Sequence, residues 1–332
     1  MNRLKAVDLP PKRVDLNQID LSPGPYCLSY GFETSLLADS IRKIGLINSP
    51  ILIEKGKGGS ATQFTVVTGF RRINALAALG ESYASCRILP IETAPFECLR
   101  MNLYENLTGR GFNPVEKAMA LVRLLALVSE KEVLKTFMPL FDLPSHEDTL
   151  HLFARIEGEL ERQTKDLVAD GYLSIQAAKL LLEMNSTSRE RFCEYFSSVK
   201  FNKNQQTQFI DFIKDLSRIE DSDLTQILGD PELVTIRDNE QMNNPQKAKA
   251  FIKLLRARRL PQLVRAEKGF KRMVEKLALP SGCQIAAPPF FEGPHYQLEI
   301  SFENGKDLKE KLLNVSEKKG LIKFADPWSK NA

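Results

Sequence analysis

The sequence predicts an α+β chain in three parts: a small N-terminal α/β domain, a central all-α domain of helix-turn-helix type, and a small C-terminal α+β element. Three observations predict it. Short β-branched runs alternate with helical patterns over roughly the first third of the chain, helical periodicity takes over from Asn113, and strand-like runs return after Gly282. The limits this reading sets are 1–112, 113–230 and 231–332, within a chain of 332 residues that is long enough for cores of their own.

In the first part, Thr34 is placed to cap a helix whose Leu37, Ile41 and Ile44 share one face and which Gly45 stops. Pro50-Ile51-Leu52-Ile53 reads as a buried strand, and residues 56–60 as a glycine-rich turn. Phe64-Thr65-Val66-Val67 is a second strand, ended by Gly69; residues 71–79 form a helix closed by Gly80. Residues 86–89 form a third strand, stopped by Pro90, and a helix is expected over 95–107. Asn113-Pro114-Val115-Glu116 is a helix start: a capping Asn, a first-turn Pro, and a Glu three residues after the cap. Helical patterns follow at 115–128, 131–141, 146–157, 159–170, 174–184, 188–199 and 204–217. Residues 231–246 read as a linker, on Pro231, Asp238-Asn239-Glu240 and Asn243-Asn244-Pro245. A basic amphipathic helical stretch occupies 247–276, interrupted at Pro261. Strands at 283–291 and 295–303, a helix at 306–318 and a short strand at 321–324 complete the chain.

Composition narrows the class without naming it. With 43% apolar and 27% charged residues the chain is neither disordered nor fibrous. No apolar run reaches the eighteen or so residues of a membrane span, and the first eleven residues lack the apolar stretch of a signal peptide. Five scattered cysteines, none in a C-x-x-C pair, suit reduced thiols and a cytoplasmic setting. Three histidines, His146, His151 and His295, are too few and too badly spaced for a His-based metal site. The net charge of +4 conceals an uneven distribution: residues 247–276 hold eleven Lys/Arg against two Glu, while 142–170 and 211–240 are acidic.

Two stretches carry chemistry. In Val67-Thr68-Gly69-Phe70-Arg71-Arg72 a strand runs into a glycine turn and a helix opens with two arginines. Backbone N–H groups at a helix N-terminus attract anions, and arginines there are unfavourable unless an anion or acid neutralises them. A phosphate or carboxylate partner is one reading, a solvated pair the other. In Glu105-Asn106-Leu107-Thr108-Gly109-Arg110, a carboxylate falls at the negative end of a helix. Glu105 with Asn106 suits an oxygen-liganded Mg²⁺ shared with phosphates; a Glu–Arg pair with Arg71 or Arg72 is the alternative.

Together these stretches resemble the ParB partition family. Ser40-Ile41…Gly45-Leu46-Ile47…Pro50-Ile51 is similar to its first box, and Gly69-Phe70-Arg71-Arg72-Ile73-Asn74-Ala75 to its second, G-E-R-R-x-R-A. Residues 105–116 are similar to its third, E-N-x-x-R-x-x-x-N-P-x-E. Gly171-Tyr172-Leu173-Ser174…Ala178…Leu181 resembles a stretch of the family's helical domain. The resemblance covers about residues 10–215. It implies a ParB/sulfiredoxin-like N-terminal domain that binds CTP and Mg²⁺, with Gly69, Arg71 and Arg72 cradling the triphosphate and Glu105 and Asn106 reaching phosphate or metal. It implies a cytoplasmic, nucleoid-associated homodimer on double-stranded DNA, with a partition ATPase as a further partner. The chain departs from the pattern at Phe70, at Asn74, at Gly109-Arg110 where the arginine is displaced by one, at Ser29, and at Ser49. Sulfiredoxin chemistry needs a cysteine in the glycine turn, and none stands between 64 and 80.

The candidate helix-turn-helix spans 131–141 and 145–157 around Asp142-Leu143-Pro144. Its second helix is acidic with one arginine, unlike helices that read base edges. The basic stretch supplies what that helix lacks: Lys249, Lys253, Arg256, Arg258, Arg259, Lys268, Lys271 and Arg272 are the candidate DNA contacts, through salt-dependent phosphate neutralisation. Pairing with the acidic stretches of the same chain is the competing use. The function expected is DNA binding in plasmid or chromosome partition or nucleoid organisation. The alternatives are a metal-dependent nuclease or nucleotide-using enzyme on this fold, and a regulatory protein-interaction module without nucleotide. Enzymatic activity is at most a slow CTPase or a nuclease.

Overall fold

The computed structural model describes residues 8–55, 63–293 and 295–324, so the turn expected at 56–60 lies outside the described residues. Packing divides the chain into two units, Met1–Ile210 and Asp211–Ala332.

The first unit is built on one mixed sheet. Strands β1 (Lys12–Asp15), β2 (Ile51–Glu54), β3 (Phe64–Thr68) and β4 (Tyr83–Leu89) lie in the order β1-β4-β2-β3. β2 runs antiparallel to β3 and parallel to β4, while β1 runs antiparallel to β4. The pleat sends Leu52 and Val66 to one face and Ile53 and Val67 to the other. Helices α1 (Ser35–Ile44) and α2 (Phe70–Ala78) bury Ile41, Phe70, Ile73 and Leu76 on the first face. Helix α3 (Pro95–Gly109) places Cys98 against the second. β1 carries no strand signal in the sequence because only Val14 of Lys-Arg-Val-Asp points inward; as an edge strand it leaves its charges in water. In α1 the buried residues are Ala38 and Ile41, while Ile44, at the open end beside Gly45 (φ 77°), is 65% exposed and leaves the apolar face expected of it.

From Asn113 the unit is helical: α4 (Pro114–Leu125), α5 (Glu130–Glu132), α6 (Glu147–Glu159), α7 (Arg162–Ala169), α8 (Ile175–Leu182) and α9 (Ser186–Ser198). The expected capping box is formed, Asn113 Oδ1 accepting from Glu116 N at 2.9 Å and Glu116 Oε2 from Asn113 N at 3.1 Å. Helix α10 (Lys203–Ile219) begins in this unit, where Phe209 packs among Phe192, Tyr195, Phe196 and Phe201.

The second unit holds α11 (Leu224–Leu228), α12 (Pro231–Asp238), α13 (Asn244–Arg259), α14 (Pro261–Leu277), the antiparallel pair β5 (Cys283–Ala286) and β6 (Gln297–Ile300), and α15 (Gly305–Ser316). The stretch read as a linker therefore contains a helix. Asp230 caps it by accepting from Glu232 N at 2.8 Å, and Pro231 sits in the first turn, so two residues taken as breakers are start signals. The strand expected at 321–324 is instead the 3₁₀ turn Lys319–Lys323, packed on α14 with no strand beside it among the described residues.

Candidate functional site

β3 delivers the chain to Gly69, whose φ of 83° lies in the left-handed region. A Cβ there would stand 3.0 Å from Pro50 Cβ and from the Arg72 guanidinium, so the turn that joins β3 to α2 requires glycine. Helix α2 then opens with Phe70, Arg71 and Arg72 and no acid in its first turn. Two arginines at the positive end of a helix need negative charge from elsewhere. Glu105, on the last turns of α3, pairs with Arg72, which also donates to Asn48 O at 2.8 Å. Glu116, in the first turn of α4, pairs with Arg71 at 2.7 Å and with Arg110 at 2.6 Å.

Glu116 organises this cluster. Its side chain is 1% exposed, and its two oxygens accept from both guanidiniums and from the backbone N–H groups of Tyr30 (3.0 Å) and Asn113 (3.1 Å). A buried carboxylate is tolerated only with such a complete set of donors. Burial first, and the neighbouring Arg110 charge second, hold the Arg71 pKa below the ordinary guanidinium value. Arg71 also lies over the Phe32 ring, 4.9 Å from its centroid, and donates to the Ser29 hydroxyl at 3.3 Å.

These groups border an open cleft of ≈ 320 Å³ lined by Ser29, Leu37, Gly69, Phe70, Arg71, Arg72, Asn102, Glu105, Asn106, Gly109 and Arg110. That volume is within the ~300–1,000 Å³ range of small-molecule sites. All five residues that the sequence assigned to cofactor binding, Gly69, Arg71, Arg72, Glu105 and Asn106, are in this lining. Asn102, almost fully buried, locks α3 onto the sheet by donating to Val67 O (2.6 Å) and Tyr26 O (2.9 Å), and accepts from Asn106 Nδ2 at 2.6 Å. Arg110 extends this network through its Nε, which donates to Asn106 Oδ1 at 2.9 Å.

Fit to a divalent ion is uneven across the donors. Glu105 Oε1 is engaged by Arg72, but Oε2 is buried without a hydrogen-bond partner, an oxygen available to Mg²⁺ that takes its other ligands from phosphate and water. The Asn106 oxygen accepts from Arg110 Nε, which leaves it one further lone pair. Among the described residues no three His, Cys, Asp or Glu side chains gather as a metal cluster.

Three members of the site escaped the sequence reading. Glu116 reads as a capping residue, and its second role needs Arg71, 45 residues away in sequence, to be brought alongside. Asn102 sits in mid-helix with only its four-residue spacing from Asn106 as a signal. Arg110, one position out of register with the motif, reaches the cleft all the same because α3 ends at Gly109 and Arg110 adopts an extended conformation (φ −157°, ψ 154°). Of the departures, Phe70 is a core residue stacked edge-on against Phe32 at 5.9 Å, and Asn74 donates back to Phe70 O within its own helix.

The basic residues divide into two groups. Arg256 pairs with Glu267 (2.6 Å), Arg258 with Glu220 (2.6 Å) and Asp230 (2.6 Å), and Arg259 with Asp215 (2.8 Å). Three of the expected DNA-contacting residues therefore have acidic partners within the chain, and two of them, Arg258 and Arg259, meet the acidic stretch 211–240. Lys271 approaches Glu275 at 3.9 Å, while Lys249, Lys253, Lys268 and Arg272 are exposed and carry no ion pair among the described residues. Lys249 and Lys253 border a separate cleft of ≈ 470 Å³ with Asn239, Gln241, Met242, Gln246 and Ala250.

At the candidate helix-turn-helix, the first element is not one regular helix. It passes from α5 through a π turn (Val133–Phe137) to a 3₁₀ turn (Met138–Phe141) at Pro139, which has no N–H to give. Asp142 turns the chain at φ 55°, and α6 presents Glu147, Asp148 and His151 to solvent while Arg155 is tied to Glu159 and Glu183.

No family model matches this chain, and no curated relative does. Two solved structures of a C-terminally truncated chromosome-partitioning protein ParB from Caulobacter crescentus are similar to it. The one complexed with CTP-γ-S matches at 16% identity and a TM-score of 0.25, covering 55% of this chain and 97% of that one. The one complexed to the centromeric parS site matches at 14% identity and a TM-score of 0.31, covering 55% and 91%. Among the described residues no helix is long and apolar enough to cross a membrane.

Proposed function

We propose that this chain is a ParB-like DNA-binding protein of plasmid or chromosome partition or nucleoid organisation, a cytoplasmic homodimer gated by CTP and Mg²⁺ in the cleft of its first unit. The observation that carries the reading is the convergence of Gly69, Arg71 and Arg72 from one motif with Glu105 and Asn106 from another on a single cleft. The N–H groups after Gly69 and the start of α2 form an anion-attracting end, and three arginines against two glutamates leave one net positive charge. A triphosphate entering there competes with Glu105 for Arg72 and with Glu116 for Arg71 and Arg110. Loosening Glu116 loosens the start of α4, which connects nucleotide occupancy to the helices that follow.

A second reading, a regulatory module without nucleotide, is favoured by one specific observation: every guanidinium lining the cleft already has a carboxylate of its own chain. Titration of the full chain with CTP, ATP and ADP in Mg²⁺, with and without duplex DNA, separates the two. The first reading expects CTP binding that weakens about 10- to 100-fold in Arg72→Ala, the loss of one charge-assisted hydrogen-bond partner. No binding of any nucleotide, with DNA binding retained, leaves the regulatory module.

A further inference from the structure

The second unit contains a lysine array that the motif resemblance does not touch. A cleft of ≈ 280 Å³ is lined by Lys276, Lys318, Lys319 and Lys323 with Met273, Leu277 and Gly320, and no carboxylate is among the lining residues. None of the four lysines has an ion pair among the described residues, and the acids adjacent in sequence, Glu275 and Glu317, lie outside the lining. The array is held in place by packing. The turn Lys319–Lys323 seats on the end of α14 at Gly320, where a Cβ would stand 2.6 Å from Leu277 Cδ2, and Leu277 itself is buried. Four lysines bordering one cleft, with no carboxylate in its lining, concentrate positive charge that an external anion neutralises.

The array also continues along α14. Lys268, Arg272 and Lys276 are exposed at four-residue intervals, so they form one stripe over roughly 12 Å of helix, at ~1.5 Å per residue. A single phosphate spans the cleft but not the stripe. A polymer of phosphates spans both. Arg256, Arg258 and Arg259 have acidic partners within the chain, whereas this stripe and cleft have none among the described residues.

We infer that the stripe of α14 and the lysine cleft together bind the phosphodiester backbone of nucleic acid, and that the paired arginines of α13 do not. This rests on the DNA-binding reading above, keeps Lys268 and Arg272 of its expected contacts, drops the α13 arginines and adds the lysine cleft. Binding of a labelled random-sequence duplex to the full chain, followed from about 50 to 200 mM salt, tests it. Replacing Lys276, Lys318, Lys319 and Lys323 together by Gln is expected to flatten the slope of log K against log salt by about 0.9 for each phosphate no longer neutralised, up to about 3.6 if each lysine neutralises one. Arg256→Gln with Arg258→Gln is expected to leave the slope as it is. In the wild-type chain, DNA is expected to protect those four lysines from amine acylation more than it protects Lys249 and Lys253, a readout that needs no variant to fold. An unchanged slope, equal acylation, or displacement of DNA by polyglutamate as readily as by unlabelled duplex would overturn the assignment. A wild-type chain that binds no DNA would overturn the DNA-binding reading along with it.

Discussion

The two arginine-rich regions of this protein use their acids in opposite ways. In the cleft of the first unit, one carboxylate at 1% exposure serves Arg71 and Arg110 and two backbone N–H groups. In the second unit, Arg258 meets Glu220 and Asp230 with all three side chains between 22% and 29% exposed. The two sets of arginines are about equally exposed, and the difference is the acid: a buried carboxylate must keep its donors, and backbone N–H groups left without it lose their acceptor, whereas water reaches both sides of a broken Arg258 pair. The first arrangement defines a geometry. The second holds helices together by contacts that salt screens.

The sharpest attack on that contrast is Glu116→Ala. It takes the shared acceptor from Arg71, Arg110 and the N–H groups of Tyr30 and Asn113 and leaves only the Asn113 half of the α4 cap; it is expected to cost about 2 kcal/mol, lowering the unfolding midpoint of the first unit by roughly 6 °C. A thermal scan in which this variant falls no further than a surface-pair variant would erase the distinction between the regions.

Asp20 provides an intermediate case. Its carboxylate accepts from Lys55 Nζ at 2.6 Å and from the Ser22 hydroxyl and N–H, and these bonds bring its pKa from 3.8 down to about 2. A depressed carboxylate stabilises the fold above its unfolded pKa and loses that contribution as pH falls through the folded one. Wild type is therefore expected to exceed Asp20→Asn in stability by about 1 kcal/mol, on the scale of an exposed pair, at pH 6. The gap should close between pH 4 and 2; a gap that persists at pH 2 would refute the assignment to this carboxylate.

The smallest effect is expected of Arg258→Gln, under about 1 kcal/mol at low salt and less at high salt. Denaturant unfolding at two ionic strengths measures it. A salt-independent cost above 2 kcal/mol would place Arg258 with Glu116 rather than apart from it.

Much of the site was legible because its parts are local. Gly69 ahead of two arginines, and an Asn-Pro-x-Glu helix start, are visible in short windows, and the structure forms the turn and the cap at those residues. Arg110 was legible only as a departure, since register within a motif says less than where the helix before it ends. The pairing of Arg72 with Glu105 was one of two open readings, and no local feature chooses between a ligand and an internal acid. The same limit applied in the second unit, where Pro231 and Asp230 read as breakers and prove to start a helix. Both residues terminate one element as readily as they begin the next.

Taken alone, the chain's pattern of apolar spacing, caps and glycines determined the α+β order of elements, the glycine turn and the two motif stretches, because each depends on neighbours within a few residues. Which acid meets which arginine, that Glu116 is both cap and counter-ion, and that four lysines gather around Gly320 were settled by packing. Those pairings join residues far apart in the chain, and the energy of a charge depends on what surrounds it in space rather than on what precedes it in sequence.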